Sequence, residues 1–126
     1  MDFKQMQQTM YNVFNECDAL RDAGQKEYAG EGADAFANFN RLALDLRLDR
    51  KQILAVYAKK HWDGIISFIN GHTSQREDVR GRINDMIVYL CLLRGMVDEE
   101  QAQGSIAPAP LPNLGMPGDP TVRNRA

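Results

Sequence analysis

The stretch that decides the fold is Asp49-Arg50-Lys51-Gln52-Ile53-Leu54-Ala55-Val56-Tyr57-Ala58-Lys59-Lys60-His61-Trp62-Asp63-Gly64-Ile65-Ile66-Ser67-Phe68-Ile69-Asn70-Gly71. Asp49 is placed to cap a helix running from Arg50 to about Asn70, and the Asn70-Gly71 pair is placed to stop it. Its apolar residues, Ile53, Leu54, Val56, Tyr57, Trp62, Ile65, Ile66, Phe68 and Ile69, occupy more than one side. A helix that is apolar on several sides is either surrounded by other helices or uses the extra face to meet a second chain.

Three further helices are expected around it. Residues 2 to 23 carry Phe3, Met6, Met10, Val13, Cys17 and Leu20 at alternating spacings of three and four, one narrow apolar stripe, with Gly24 placed to end it. A loop is expected from Gln25 to Ala33. Asp34 can cap a second helix to about Arg47, with Phe36, Phe39, Ala43 and Leu46 buried. A fourth helix is expected from Ser74, where Ser74 and Glu77 have capping-box spacing, to about Glu100. Its core face is Val79, Ile83, Met86, Ile87, Leu90, Leu93 and Val97. No segment alternates as a half-buried strand does. The fold class expected is all-α, a four-helix bundle-like domain over residues 1–103.

Beyond it the composition changes. Every proline lies between positions 108 and 120, and every aromatic residue lies at or before Tyr89. Residues 104–126 are read as an extended or flexible tail, or as an arm whose Leu111, Leu114, Met116 and Val122 dock on another chain.

Hydrophobic residues make up 44% of the 126 and charged residues 25%, with a formal net charge of -2. No basic excess drives general binding to nucleic acid. No apolar run spans a bilayer, and Met1 to Met6 lack a secretion-signal layout. The location expected is cytoplasmic, with Cys17 and Cys91 as reduced, apolar fillers of helix stripes. The apolar helix surface on so short a chain points to a homo-oligomer, a dimer first.

P-loop, nucleophile-elbow and His-Glu-x-x-His motifs are all missing from the sequence. What remains is polar residues interrupting apolar helices. In Lys59-Lys60-His61, a lysine can meet phosphate and His61 can donate a hydrogen bond; alternatively, both lysines reach solvent and His61 satisfies a backbone carbonyl. Asn38, Arg41 and Asp45 share a stripe that can grip a phosphate or base edge, or simply face water. Asp78, Arg82, Asp85 and Tyr89 form a row on the last helix. Arg82, within one turn of both aspartates, favours an ion-pair ladder over a magnesium cage. Trp62 is assigned to the core. The acidic, glycine-bearing loop Glu27 to Asp34 leads into a helix amino terminus, a weak anion signal.

Lys26-Glu27-Tyr28-Ala29, Asp34-Ala35-Phe36-Ala37-Asn38-Phe39, Lys59-Lys60-His61, Glu77 and Arg82 through Leu93 occur in that order. Over roughly residues 20 to 97 this resembles small helical phage and prophage proteins of the nucleotide-modification-associated domain 1 type. The resemblance implies a bacteriophage origin and a link to nucleotides. The last helix is also similar to that of all-α nucleotide pyrophosphohydrolases, the MazG and dimeric dUTPase group, which hold magnesium on paired acidic motifs. Asp85 matches their final aspartate. Arg82 stands where a glutamate is expected, and the first helix has no Glu-x-x-Glu.

The expected function is therefore nucleotide binding, in nucleotide modification or in sequestering a host nucleotide signal of antiviral defence. The expected ligand site is Asn38, Arg41, Lys60, His61, Asp85 and Tyr89, with no catalytic residue, metal or cofactor assigned. The rivals are a magnesium-dependent pyrophosphohydrolase and a non-catalytic adaptor that docks through its helix face and tail.

Overall fold

The computed structural model describes residues 1–28, 34–72 and 76–104. Four helices follow in order: α1 Phe3–Tyr28, α2 Ala37–Leu46, α3 Arg50–Ile69 and α4 Val79–Ala102. There is no strand among the described residues, and the architecture is an all-α bundle. No described helix is long and apolar enough to cross a membrane.

Local chemistry sets the helix boundaries. At α1, Asp2 Oδ1 accepts from the Gln5 amide at 2.8 Å and Gln5 Oε1 accepts from the Asp2 amide at 2.7 Å, a reciprocal cap. The helix does not end at Gly24 as the sequence suggests; it continues to Tyr28. One interior glycine costs about 1 kcal/mol relative to alanine, and side-chain pairs one turn apart span it. Asp22 pairs with Lys26 at 3.2 Å, and Arg21 donates to Gln25.

Asp34 works one turn earlier than expected. Its carboxylate accepts from the Phe36 amide at 3.0 Å and from the Asn40 side-chain amide at 2.7 Å, closing a turn that delivers Phe36 to the start of α2. Arg47, left-handed at φ 56°, ends α2. Asp49 caps α3 as its sequence position predicts, in a full capping box with Gln52, and Gly71 at φ 89° follows its last turn. α4 opens at Val79, not at Ser74, which lies outside the described residues. Glu77 lies in a bend, and Asp78 caps the helix instead, accepting from the Arg80 amide at 2.9 Å. Residues 29–33, Ser74, Gln75 and the tail 105–126, with Leu111, Leu114, Met116 and Val122, lie outside the described residues.

The core is small and sits where α2, α3 and α4 meet. Phe36, Phe39, Ile53, Leu54 and Met96 are buried together, with Leu42, Ala43, Tyr57, Tyr89, Leu92 and Leu93 packed against them. Phe39 meets Tyr57 and Tyr89 edge-on, with centroids 6.0 and 6.5 Å away. α3 packs chiefly on α4, and α2 on α3. The α3–α4 pair runs antiparallel: Arg50 reaches Glu99 and Glu100, while His61 reaches Asp85.

Trp62 and part of the expected core face of α4 are exposed, and so is the extra apolar side of α3, which the sequence leaves open between burial and a second chain. Trp62 is 47% exposed, and Val56, Phe68 and Ile69 on α3 and Ile83 and Leu90 on α4 also face outward. α1 departs most. Of its six-residue stripe only Cys17 is buried, where its thiol donates to the Asn84 carbonyl at 3.7 Å; Phe3, Met6, Met10 and Leu20 are exposed. Heptad spacing sets the shared face of these residues, but among the described residues no helix covers its first half.

Candidate functional site

Above the aromatic core, the four helices leave a hollow of about 400 Å³. α1 contributes Leu20, Arg21, Gly24 and Gln25; the turn before α2 contributes Ala35, and α2 contributes Asn38 and Phe39. α3 contributes Tyr57 and Lys60, and α4 contributes Asp85, Val88, Tyr89 and Leu92. The volume is within the range of small-molecule sites, roughly 300–1,000 Å³. The lining divides into an aromatic and aliphatic floor and a set of convergent polar groups.

Of the six site residues expected from sequence, four line this hollow: Asn38, Lys60, Asp85 and Tyr89. The other two stand apart from its wall. Arg41 is exposed, and its guanidinium donates to Asn38 Oδ1 at 2.7 Å, so it steadies the amide from outside. His61 is buried behind Tyr89, ring centroids 5.6 Å apart, with its side chain only 9% exposed.

The fate of the Lys59-Lys60-His61 run is thereby resolved residue by residue. Lys59 pairs with Asp63 one turn on, at the surface. Lys60 is exposed but borders the hollow. His61 Nδ1 lies 3.3 Å from Asp85 Oδ2, yet it is not aligned for a hydrogen bond and has no other partner among the described residues. That is an orphaned polar atom in the interior, which is uncommon and costs stability.

The row on α4 is not the ladder that its spacing suggests. Asp78 pairs with Arg80 at 2.8 Å, which holds the Asp78 carboxyl below the usual range. Asp85 turns to His61. Arg82 crosses α3 where Gly64 has no side chain: a Cβ there would come within 2.5 Å of its guanidinium. Its Nη1 reaches the Lys60 carbonyl at 3.4 Å, while its buried Nε is unpartnered among the described residues.

Sequence reasoning missed Arg21, Gln25 and Tyr57. Arg21 replaces Arg41 as the guanidinium at the hollow, donating to Gln25 and to the Ala35 carbonyl at 2.9 Å. Placing residues 25 to 33 in a loop hid it. Once the helix is extended through Gly24, Arg21 and Gln25 fall on one face. Cys91, expected as filler, is exposed. With Phe14, Cys17 and Ile87 it lines a second, mostly apolar hollow between α1 and α4. No family model, curated protein or solved structure matches this chain.

Proposed function

We propose that this protein binds a nucleotide or nucleotide-like ligand in the hollow. The observation that carries the reading is the meeting of two cations, Arg21 and Lys60, with an amide, a carboxylate and three aromatic rings around one space. A nucleotide needs each of these chemistries. Lys60 meets phosphate as a point charge and Arg21 as a planar fork. Tyr89, Tyr57 and Phe39 offer apolar faces to a base. Asn38 presents its amide to a base edge or ribose, and Asp85 accepts from an amine or hydroxyl. The resemblance to phage nucleotide-modification-associated proteins agrees with this assignment, whether the ligand is modified or sequestered.

The hydrolase alternative calls for several carboxylates in one pocket, because a metal offsets the charge of the phosphoanhydride oxygens. Asp85 is the single carboxylate among the described lining residues, which favours binding over hydrolysis. The adaptor alternative draws on a different observation, the exposed stripe of α1. We assign that stripe to a second copy of the chain: its heptad spacing suits a helix-on-helix seam.

Isothermal titration against a panel of nucleoside phosphates and cyclic dinucleotides tests the ligand reading. At least one is expected to bind, with affinity reduced roughly tenfold or more in Lys60→Ala, the scale of a charge-assisted hydrogen bond, and little changed in Arg41→Ala. Absence of heat across the panel would refute it.

A further inference from the structure

We infer that His61, Glu77 and Asp85 form a binding site for a divalent transition-metal ion of the zinc type. Three elements bring the donors together: α3 supplies the imidazole, α4 supplies Asp85, and the bend before α4 supplies Glu77. One ligand atom from each lies within 4.8 Å of the others. Around an ion bound at about 2.1 Å, tetrahedral neighbours sit roughly 3.4 Å apart. The 3.3 Å between His61 Nδ1 and Asp85 Oδ2 already matches that spacing, and Glu77 is an exposed residue in the bend before α4.

The imidazole makes the cluster more than a chance meeting of acids. Its side chain is more than nine-tenths buried, and its Nδ1 has no hydrogen-bond partner among the described residues although a carboxylate oxygen is 3.3 Å away. An imidazole nitrogen and a carboxylate oxygen this close but not aligned for a hydrogen bond are spaced as ligands of a common ion are. An imidazole with two carboxylates selects zinc-like ions over calcium or magnesium, which prefer all-oxygen shells. Three protein donors also leave coordination positions open. Asp85 borders the hollow as well, so water from that space can complete the shell. Arg82 opposes the ion. It lies one turn before Asp85 and reaches the carbonyl of Lys60, next to His61. Its charge weakens the site and supplies a control.

The inference stands apart from the nucleotide reading, because the metal alone tests it. Cobalt(II), a spectroscopic stand-in for zinc, is titrated into the nucleotide-free protein, following visible absorption and heat; zinc then competes. One ion per chain is expected, with tetrahedral-type absorption bands displaced by zinc. His61→Gln should weaken binding at least tenfold, Glu77→Gln and Asp85→Asn should weaken it also, and Arg82→Met should strengthen it several-fold. Circular dichroism checks that each variant keeps its helices. Should His61→Gln disturb folding, broadening of the His61 ring signals by cobalt in the wild-type protein provides the same test. Unchanged binding in folded His61→Gln, or no broadening at His61, would overturn the site and leave an ordinary histidine–aspartate pair. Nucleotide binding that persists in a chelator without cobalt binding would sink this inference and spare the other.

Discussion

The two ends of the α3–α4 pair use similar residues to opposite effect. At one end Arg50, its side chain 12% exposed, reaches Glu99 at 3.0 Å, Glu100 at 3.3 Å, the Met96 carbonyl at 3.3 Å and Asn40 at 3.4 Å, and stacks over Phe36 at 5.1 Å. Lys51 joins Glu100 and Asp49 at 2.8 and 3.1 Å. The helices are tied there by a network in which cations and carboxylates find several partners each. At the other end, beside an open hollow, His61 Nδ1 and Arg82 Nε find no hydrogen-bond partner among the described residues. The second end, incomplete among the described residues, is where the proposed ligand and ion would bind. Unsatisfied interior polar atoms lower stability, and sites of function are where such a loss is tolerated.

The sharpest way to break the contrast is to remove the hub of the satisfied end. Arg50→Ala should cost roughly 2–3 kcal/mol by removing the guanidinium's hydrogen bonds and its packing over Phe36, and lower the melting temperature by about 10 °C or more. Nucleotide binding should survive once the protein is folded. His61→Leu at the open end removes an orphaned polar atom in favour of an apolar one of similar size. It should leave the melting temperature within a few degrees of wild type or raise it. Equal losses from the two substitutions would erase the distinction.

Each end also holds a glycine at a close approach. A Cβ at Gly95 would meet the Phe36 ring at 3.0 Å, and that ring is buried beneath Arg50. Gly95→Ala should therefore destabilise by about 1 kcal/mol despite alanine's better helix propensity. At Gly64 the obstacle is the flexible Arg82 side chain from Cδ to the guanidinium, against the ring of a buried phenylalanine at Gly95. Gly64→Ala should be close to neutral in denaturant melts and should free Arg82 from the Lys60 carbonyl. Gly64→Ala more destabilising than Gly95→Ala would show that Arg82 is locked in place.

Acid should act on the satisfied end. Hydrogen bonds to the Lys51 amide and ammonium hold the Asp49 carboxyl below its ordinary value, and the Lys51 ammonium does the same for Glu100. A carboxyl whose folded pKa is depressed stabilises the fold above its unfolded pKa, and that contribution is lost as pH falls through the folded value. Lys51, raised chiefly by Glu100, contributes below its ordinary pKa and stops contributing as pH rises past its folded value. Thermal melts from neutral down to about pH 2 should decline mostly below the usual carboxylate range, and Lys51→Met should flatten that decline. The smallest effect on the isolated chain belongs to Met10→Glu, on the exposed half of the α1 stripe. It should leave the fold intact but shift sedimentation toward monomer if the α1 stripe joins two copies.

Much of this arrangement was legible in the residues. Asp49 announced α3 because its carboxylate can satisfy free amides at a helix start, and the structure uses it so. Asn38, Lys60, Asp85 and Tyr89 stood out as polar or amphipathic residues on otherwise apolar helices, and all four line the hollow. Arg21 did not stand out, since Gly24 read as a stop while the pairs bridging it are visible only in a folded turn. Trp62 and the first half of α1 misled for another reason. Periodicity reports which residues share a face, not whether any element covers it. The His61–Asp85 approach joins residues twenty-four positions apart on antiparallel helices, a register that no spacing rule encodes.

The most direct test of the central claim is to follow the backbone amide NMR signals of the folded chain while adding the nucleotide that binds best. Perturbations concentrated at Arg21, Asn38, Lys60, Asp85 and Tyr89, with Arg50, Glu99 and Glu100 unmoved, are the result expected. Shifts confined to the Arg50 end or to the first half of α1, or no saturable shifts at all, would contradict it.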